Sequence, residues 1–168
     1  MSISMYQVSV PVFIRMLTNL SGILDKAAAD AEARKIDPAV FLNSRLAPDM
    51  YPFTRQIQIA ADFAKGASAR LAGLEVPKYE DNETSIAELK ARIDKTIAFI
   101  KTIKPAQIDG SEERVITLVQ GDKTRTFKGQ AYLLEYVFAH FYFHLQTAYA
   151  ILRHNGVPVG KKDFVGPA

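Results

Sequence analysis

Gln130-Ala-Tyr-Leu-Leu-Glu-Tyr-Val-Phe-Ala-His-Phe-Tyr-Phe-His-Leu-Gln-Thr-Ala-Tyr-Ala-Ile-Leu-Arg-His-Asn155 is the most apolar stretch of the chain and contains neither proline nor glycine. Leu134, Val137, Phe141, Leu145, Ala148 and Leu152 recur at steps of three and four, and Phe138, Tyr142 and Tyr149 widen that stripe, so the segment predicts one long helix covered on most sides. Arg153 and His154 place cations in the last turn, Gly156 offers a left-handed cap and Pro158 forbids continuation. His140 and His144, four apart in the middle, share one face, about 40° apart and ~6 Å along the axis. They are the one site-like feature of the sequence.

Upstream, three more helical patterns appear. Val8, Val12, Ile14, Leu17, Leu20, Ile23, Leu24, Ala27 and Ala28 carry a first long helix from about Ser4 to Arg34, with Pro11 as either a kink or a bend near its start. Asp37-Pro38 offers a cap and a first-turn proline for a short helix through Leu42. Phe53, Ile57, Ala60, Ala64, Ala67 and Leu71 form the seam of the second long helix, with Asp49 as its predicted N-cap and Gly73 as its end. Residues 74–83 have no period and read as a loop. Ser85, three before Glu88, opens a third long helix whose face is Ile86, Leu89, Ile93, Ile97, Ile100 and Ile103. Between Glu113 and Phe127 the rhythm changes: Val115–Val119 and Thr124–Phe127 flank Gly121-Asp122, the signal of a β-hairpin. After Gly156 the tail is expected to run extended and to pack back through Val157, Val159 and Phe164. The expected architecture is all-α, a four-helix bundle with a small β-hairpin inserted before the last helix, in one domain spanning residues 1–168.

Composition narrows the function. A chain of 168 residues, 48% hydrophobic, can bury a real core. With no cysteine, disulfides, thiolate catalysis and thiolate metal ligands are excluded. The N-terminus lacks a basic stretch and a small-residue cleavage site, so a cytoplasmic location is expected. Glu135, His140, His144 and Gln146 interrupt the longest apolar run, so no membrane partner is expected. The 21 basic residues are scattered singly, which argues against nucleic acid despite a net charge of +3.

Two histidines at this spacing can chelate one divalent metal, with further donors from another helix, or they can fill an interhelical gap as hydrogen-bonded core groups. On the second long helix, Gln56 lies at the core edge, with Asp49 seven residues before it on the same side; Gln58 and Asp62 point away. Asp49 is open to two readings, helix cap and site residue. The candidate metal residues are therefore His140, His144, Asp49 and Gln56. His154, at the helix end, reads as a solvated cation. No Gly-x-Ser-x-Gly, phosphate loop or His-Glu-x-x-His motif is present.

Leu46-Ala-Pro-Asp-Met-Tyr-Pro-Phe53 with Gln56-Ile-Gln58, Asp109-Gly-Ser-Glu-Glu-Arg114, Phe143-His144 with Ala148-Tyr-Ala-Ile-Leu-Arg153, and Asn155-Gly-Val157 with Gly160-Lys161 together resemble the DinB/YfiT-like metalloenzyme superfamily, in its bacterial domain-of-unknown-function branch. The resemblance covers essentially the whole chain. It implies a four-helix bundle, often a homodimer, with zinc or nickel held by three histidines, one on the second helix and two four apart on the fourth. His140 and His144 match that last pair. The second helix carries no histidine, so a third ligand would be Asp49, Gln56 or water. That resemblance implies a divalent-metal or small-molecule site between the second and fourth helices and, if the protein is active, a reaction like that of the thiol-dependent transferases. The alternative is a non-enzymatic binding or stress-associated protein with structural histidines and no metal. An apolar last helix also calls for cover by a second copy, through outward positions such as Tyr136 and Phe143, unless the hairpin and tail provide that cover.

Overall fold

The computed structural model describes residues 3–167. Helix α1 (Val10–Arg34) begins with Pro11 in its first turn, where no amide is needed, so the proline starts the helix and does not kink it. Helix α2 (Pro38–Asn43) is capped as expected: the Asp37 carboxylate accepts from the Ala39 amide at 2.9 Å. Helix α3 (Phe53–Ala72) follows, then a loop, then α4 (Ile86–Lys101) and a short α5 (Pro105–Ile108). Strands β1 (Val115–Gln120) and β2 (Lys123–Lys128) pair antiparallel across Gly121-Asp122, with Ile116 opposite Phe127 and Gln120 opposite Lys123. A single helical turn, α6 (Gly129–Ala131), leads into a π-helical segment over Tyr132–Val137, helix α7 (Phe138–His154) and a last short helix, α8 (Lys161–Val165).

The centre of the bundle is α3. It packs against α7 and α4 and also meets α1, α2, α5 and the π segment, and 13 of its 20 residues are buried, against 7 of 17 in α7. The cause is side-chain size. Ala60, Ala61, Ala64, Ala67, Ser68 and Ala69 let neighbouring backbones approach, whereas the bulkier last helix leaves Leu134, Tyr142 and Phe143 exposed. The last helix is thus covered on fewer sides than its composition predicts.

Several expectations need correction. Asp49 does not cap α3: it lies exposed in the turn before the helix, which starts at Phe53 behind Pro52 with no side-chain cap. Pro52 holds Tyr51 out of the helical region and delays the helix past Asp49. The last helix is not uniformly α. Its π turn carries one extra residue, so a wheel drawn at a constant angle miscounts there: Leu134, assigned to the core, is exposed, while Tyr132 and Leu133 are buried. The tail is not wholly extended, because Asp163 returns to the Gly160 amide at 2.8 Å and winds α8, although Val157 and Val159 are buried and Phe164 packs edge-on against Tyr149 as expected.

The α4 start is the predicted Ser85 cap, whose hydroxyl accepts from the Glu88 amide at 3.2 Å; Glu88 itself reaches back to the Thr84 amide at 2.6 Å. One turn on, Arg92 is buried and binds Asp62 (3.0 Å), Asp81 (2.9 Å), Glu83 (2.9 Å) and the Glu80 carbonyl (2.9 Å). Gln58, expected to point outward, is buried and donates to Glu83 at 2.8 Å. The unpatterned loop is therefore pinned to α3 and α4. Burial raises the Glu83 pKa, but the hydrogen bonds from Arg92 and Gln58 outweigh it and leave the carboxylate below its usual range.

The hairpin is anchored at its exit. A Cβ at Gly129 would lie 2.0 Å from the Ser111 carbonyl oxygen, a backbone atom that cannot swing aside, whereas one at Gly22 on α1 meets nothing within 4 Å. Gly129→Ala is expected to cost about 3 kcal/mol of stability through overpacking, and Gly22→Ala to add about 0.5–1 kcal/mol, the helical preference of alanine over glycine. Urea unfolding of the two variants checks both; equal midpoints would contradict the close approach at Gly129.

Candidate functional site

Along α3, Gln56, Phe63 and Arg70 recur every seven residues and share one face. Opposite them, Tyr132, Tyr136, His140 and His144 recur every four along the π segment and α7. The two rows meet as an antiparallel seam. At one end the Gln56 side-chain oxygen lies 2.7 Å from His144 Nδ1. In the middle the Phe63 ring stacks on His140, centroids 4.8 Å apart and 9° from parallel, and Tyr136 lies 4.5 Å from His140. At the far end Arg70 Nη1 donates to the Tyr132 hydroxyl at 3.1 Å. The π turn puts Tyr136, predicted to face outward, into this seam, where Phe127 of the hairpin covers it at 5.1 Å.

The protonation state of His144 follows from its neighbours. Gln56 Nε2 donates to the Tyr51 carbonyl at 2.9 Å, which can only accept, so the amide oxygen faces His144 and Nδ1 must carry the proton. In the neutral ring Nε2 is then the free acceptor. Burial pushes the His144 pKa from its ordinary value down to about 4, with His140 and Arg55 adding to the effect. Burial, then the Arg125 guanidinium, lowers His140 as well. Both rings are neutral at physiological pH.

Of the four residues proposed as metal ligands, His140, His144 and Gln56 come together in the seam. Asp49 does not join them; it is exposed in the turn before α3. Among the described residues, no three His, Cys, Asp or Glu side chains are grouped so as to hold a metal ion. His154 is exposed in the last turn of α7, as expected.

Sequence reasoning missed Phe63, Arg70, Tyr132 and Tyr136. The seven-residue spacing on α3 and the four-residue spacing from Tyr132 to His144 were the signals that could have found them. Together with β1 these residues line a cleft of about 250 Å³, whose wall includes Asp62, Leu118 and Val119. Tyr132 is buried, and that burial raises its phenol pKa, so its hydroxyl stays neutral as a partner for Arg70. No helix is long and apolar enough to cross a membrane among the described residues.

The family described as "Domain of unknown function (DUF1993)" matches residues 5–165. Among solved structures, a crystal structure of a DinB family member protein from Shewanella denitrificans is similar over 97% of this chain and 92% of its own, at 42% identity and a TM-score of 0.88. No curated protein matches the chain.

The depressed His144 pKa has a consequence for stability. Between about pH 4 and pH 6.5 the unfolded chain binds a proton that the folded chain refuses, so stability is complete above the ordinary histidine value and falls as pH drops toward about 4. The loss attributable to this group is on the order of 3 kcal/mol. Titration followed by the His144 ring resonances should show no protonation above about pH 5, and the stability slope across this window should flatten in His144→Gln. A midpoint near the ordinary histidine value would contradict the buried neutral ring.

Proposed function

Since the chain belongs to the DUF1993 family and shares the fold of a DinB family member, we propose that it binds a small organic molecule in the seam between α3 and α7, with His140 and His144 as neutral recognition groups. The observation that carries this reading is the fixed tautomer of His144. Its Nδ1–H is committed to Gln56, and its ring is oriented from behind with one acceptor nitrogen to offer. His140, half-buried on Phe63 and Tyr136, presents an aromatic face beside it. Beside them, Phe63, Arg70, Tyr132 and Tyr136 line the cleft of about 250 Å³, aromatic with a few placed polar groups, as small-molecule sites commonly are.

The donor set does not fit the metal that the superfamily resemblance implies. A catalytic zinc site takes three protein ligands and keeps one position for water or substrate. Here two imidazoles are available, the Gln56 oxygen is occupied by His144, and Asp49 is exposed outside the seam. Thiol transfer of the kind found in that superfamily depends on the metal, so this reading is of a metal-independent binding protein. Metal analysis of untagged protein, after incubation with excess zinc or nickel and dialysis, is expected to give far less than one ion per chain. One ion per chain, lost in His144→Ala, would overturn it. For the ligand, fragments that bind are expected to shift the His140 ring resonances; hits that all leave these signals unmoved would count against the seam.

We also propose a symmetric homodimer through the outer face of the last helix. Leu134 (46% exposed), Tyr142 (37%) and Phe143 (55%) are large apolar groups left in solvent along the last helix, and exposed apolar surface favours an interface. Tyr136 is not among these exposed groups, being held in the seam. Light scattering over a dilution series is expected to give twice 18.7 kDa, and Phe143→Glu is expected to dissociate the dimer without removing either histidine. A mass of 18.7 kDa at every concentration would rule the dimer out.

A further inference from the structure

At the hairpin end of the seam lies a cation for which the fold supplies no counter-charge. Arg70 runs back along α3 over Gly66, where a Cβ would stand 2.5 Å from its Nη1. Its side-chain hydrogen bond goes to the neutral Tyr132 hydroxyl, and among the described residues it pairs with no carboxylate. Asp62, the acid in the same cleft, is already bound by Lys65 at 2.8 Å and Arg92 at 3.0 Å. Arg70 is the single cation among the residues lining the cleft, and Phe63, Tyr132 and Tyr136 supply aromatic walls.

We infer that this cleft is a subsite for a small aromatic carboxylate. The guanidinium fork matches a carboxylate with two parallel hydrogen bonds, and the ring of the ligand lies against the aromatic walls, where offset or tilted packing is favourable. One unpaired guanidinium balances one negative charge. A phosphate dianion would bring a second charge into a cleft whose lining offers no second cation, so the site favours the monoanion. The volume of about 250 Å³ suits a single substituted ring. Gly66 is the positional requirement: glycine leaves the room that Arg70 occupies, and any side chain there displaces the end of the arginine, not the backbone. This inference extends the seam reading to a charged end, yet it rests on Arg70 and the cleft, where that reading rests on the histidines.

The test is calorimetric titration of the full chain at low ionic strength with benzoate, with the uncharged benzamide and with phenyl phosphate. Benzoate is expected to bind at least ten-fold more tightly than benzamide, and no more weakly than phenyl phosphate. Arg70→Gln should abolish the preference for benzoate over benzamide. Gly66→Ala should weaken benzoate at least ten-fold with a thermal midpoint no lower than the parent's, since it moves the guanidinium without removing a charge and adds helical preference; it decides the matter if Arg70→Gln fails to fold. Failure of benzoate to bind, equal affinity for benzamide, a preference retained in Arg70→Gln, or tighter binding of phenyl phosphate would overturn the assignment. The histidine reading is scored separately by the His140 resonances, so either can fail alone.

Discussion

A helix can touch neighbours on every side only if its own side chains are small, and that constraint on α3 shapes the whole molecule. Between Ala60 and Ala69 seven of ten residues are alanine, glycine or serine, and all seven are buried. Close backbone approach multiplies weak dispersion contacts, each only ~0.1–0.2 kcal/mol, into a large sum. Larger side chains at the buried alanines would overpack these contacts, whereas at Gly66 an added methyl group meets only the flexible end of Arg70. The larger residues of α3 fall at its edges and divide between two neighbours. Gln56, Phe63 and Arg70 reach toward the last helix, and Gln58, Asp62 and Lys65 reach toward α4 and its preceding loop.

Those two edges solve the problem of buried polarity in opposite ways. Toward α4, charge is neutralised by charge: Arg92 faces Asp62, Asp81 and Glu83, and Lys65 and Lys95 lie 3.8 and 4.2 Å from the centre of the Tyr79 ring. Such a network stabilises only while it is complete, because removing one partner strands the rest without solvation. Toward α7, the two histidines are kept uncharged and Arg70 meets a neutral hydroxyl. His144 and His140 hold no proton beyond the neutral ring, and their partners are an amide and aromatic faces. The first edge makes a rigid clamp on the 74–85 loop; the second leaves acceptor and aromatic surface unspent. The contrast is the physical reason to place recognition on the α7 side.

Much of this was legible from the residues alone, and the misses have identifiable causes. Hydrophobic period found α1, α3, α4 and the last helix, and local chemistry found the Asp37 and Ser85 caps and the Gly121-Asp122 turn, because these depend on near neighbours in sequence. The histidine pair and Gln56 were found by the same arithmetic applied to a regular helix. Asp49 was misplaced because a cap signal was weighed without the proline that follows it. The burial of Arg92 has no local signal, because nothing near it in sequence distinguishes a solvated cation from one that a distant loop will bury; its three acids lie 9 to 30 residues away. The central position of α3 was missed because hydrophobicity, not size, was used to rank the helices.

The π turn decides what the second half of the seam can be. With regular α geometry from Gly129 onward, Leu134 would belong to the stripe that includes Val137 and Phe141, and Tyr136 would stand nearly opposite it. The extra residue turns Tyr132 and Leu133 inward and leaves Leu134 exposed. Tyr132, Tyr136, His140 and His144 then form one continuous row facing Gln56, Phe63 and Arg70. The hairpin closes over the rotated end, with Phe127 against both tyrosines and Ile116 and Leu118 buried beneath the strands. A π turn forgoes regular helical hydrogen bonding, and such turns concentrate at functional sites; here its structural return is the placement of two tyrosines in a cleft that a straight helix would have lined with leucine. The local irregularity and the hairpin beside it are therefore one device, and both serve the aromatic seam more directly than they serve the core.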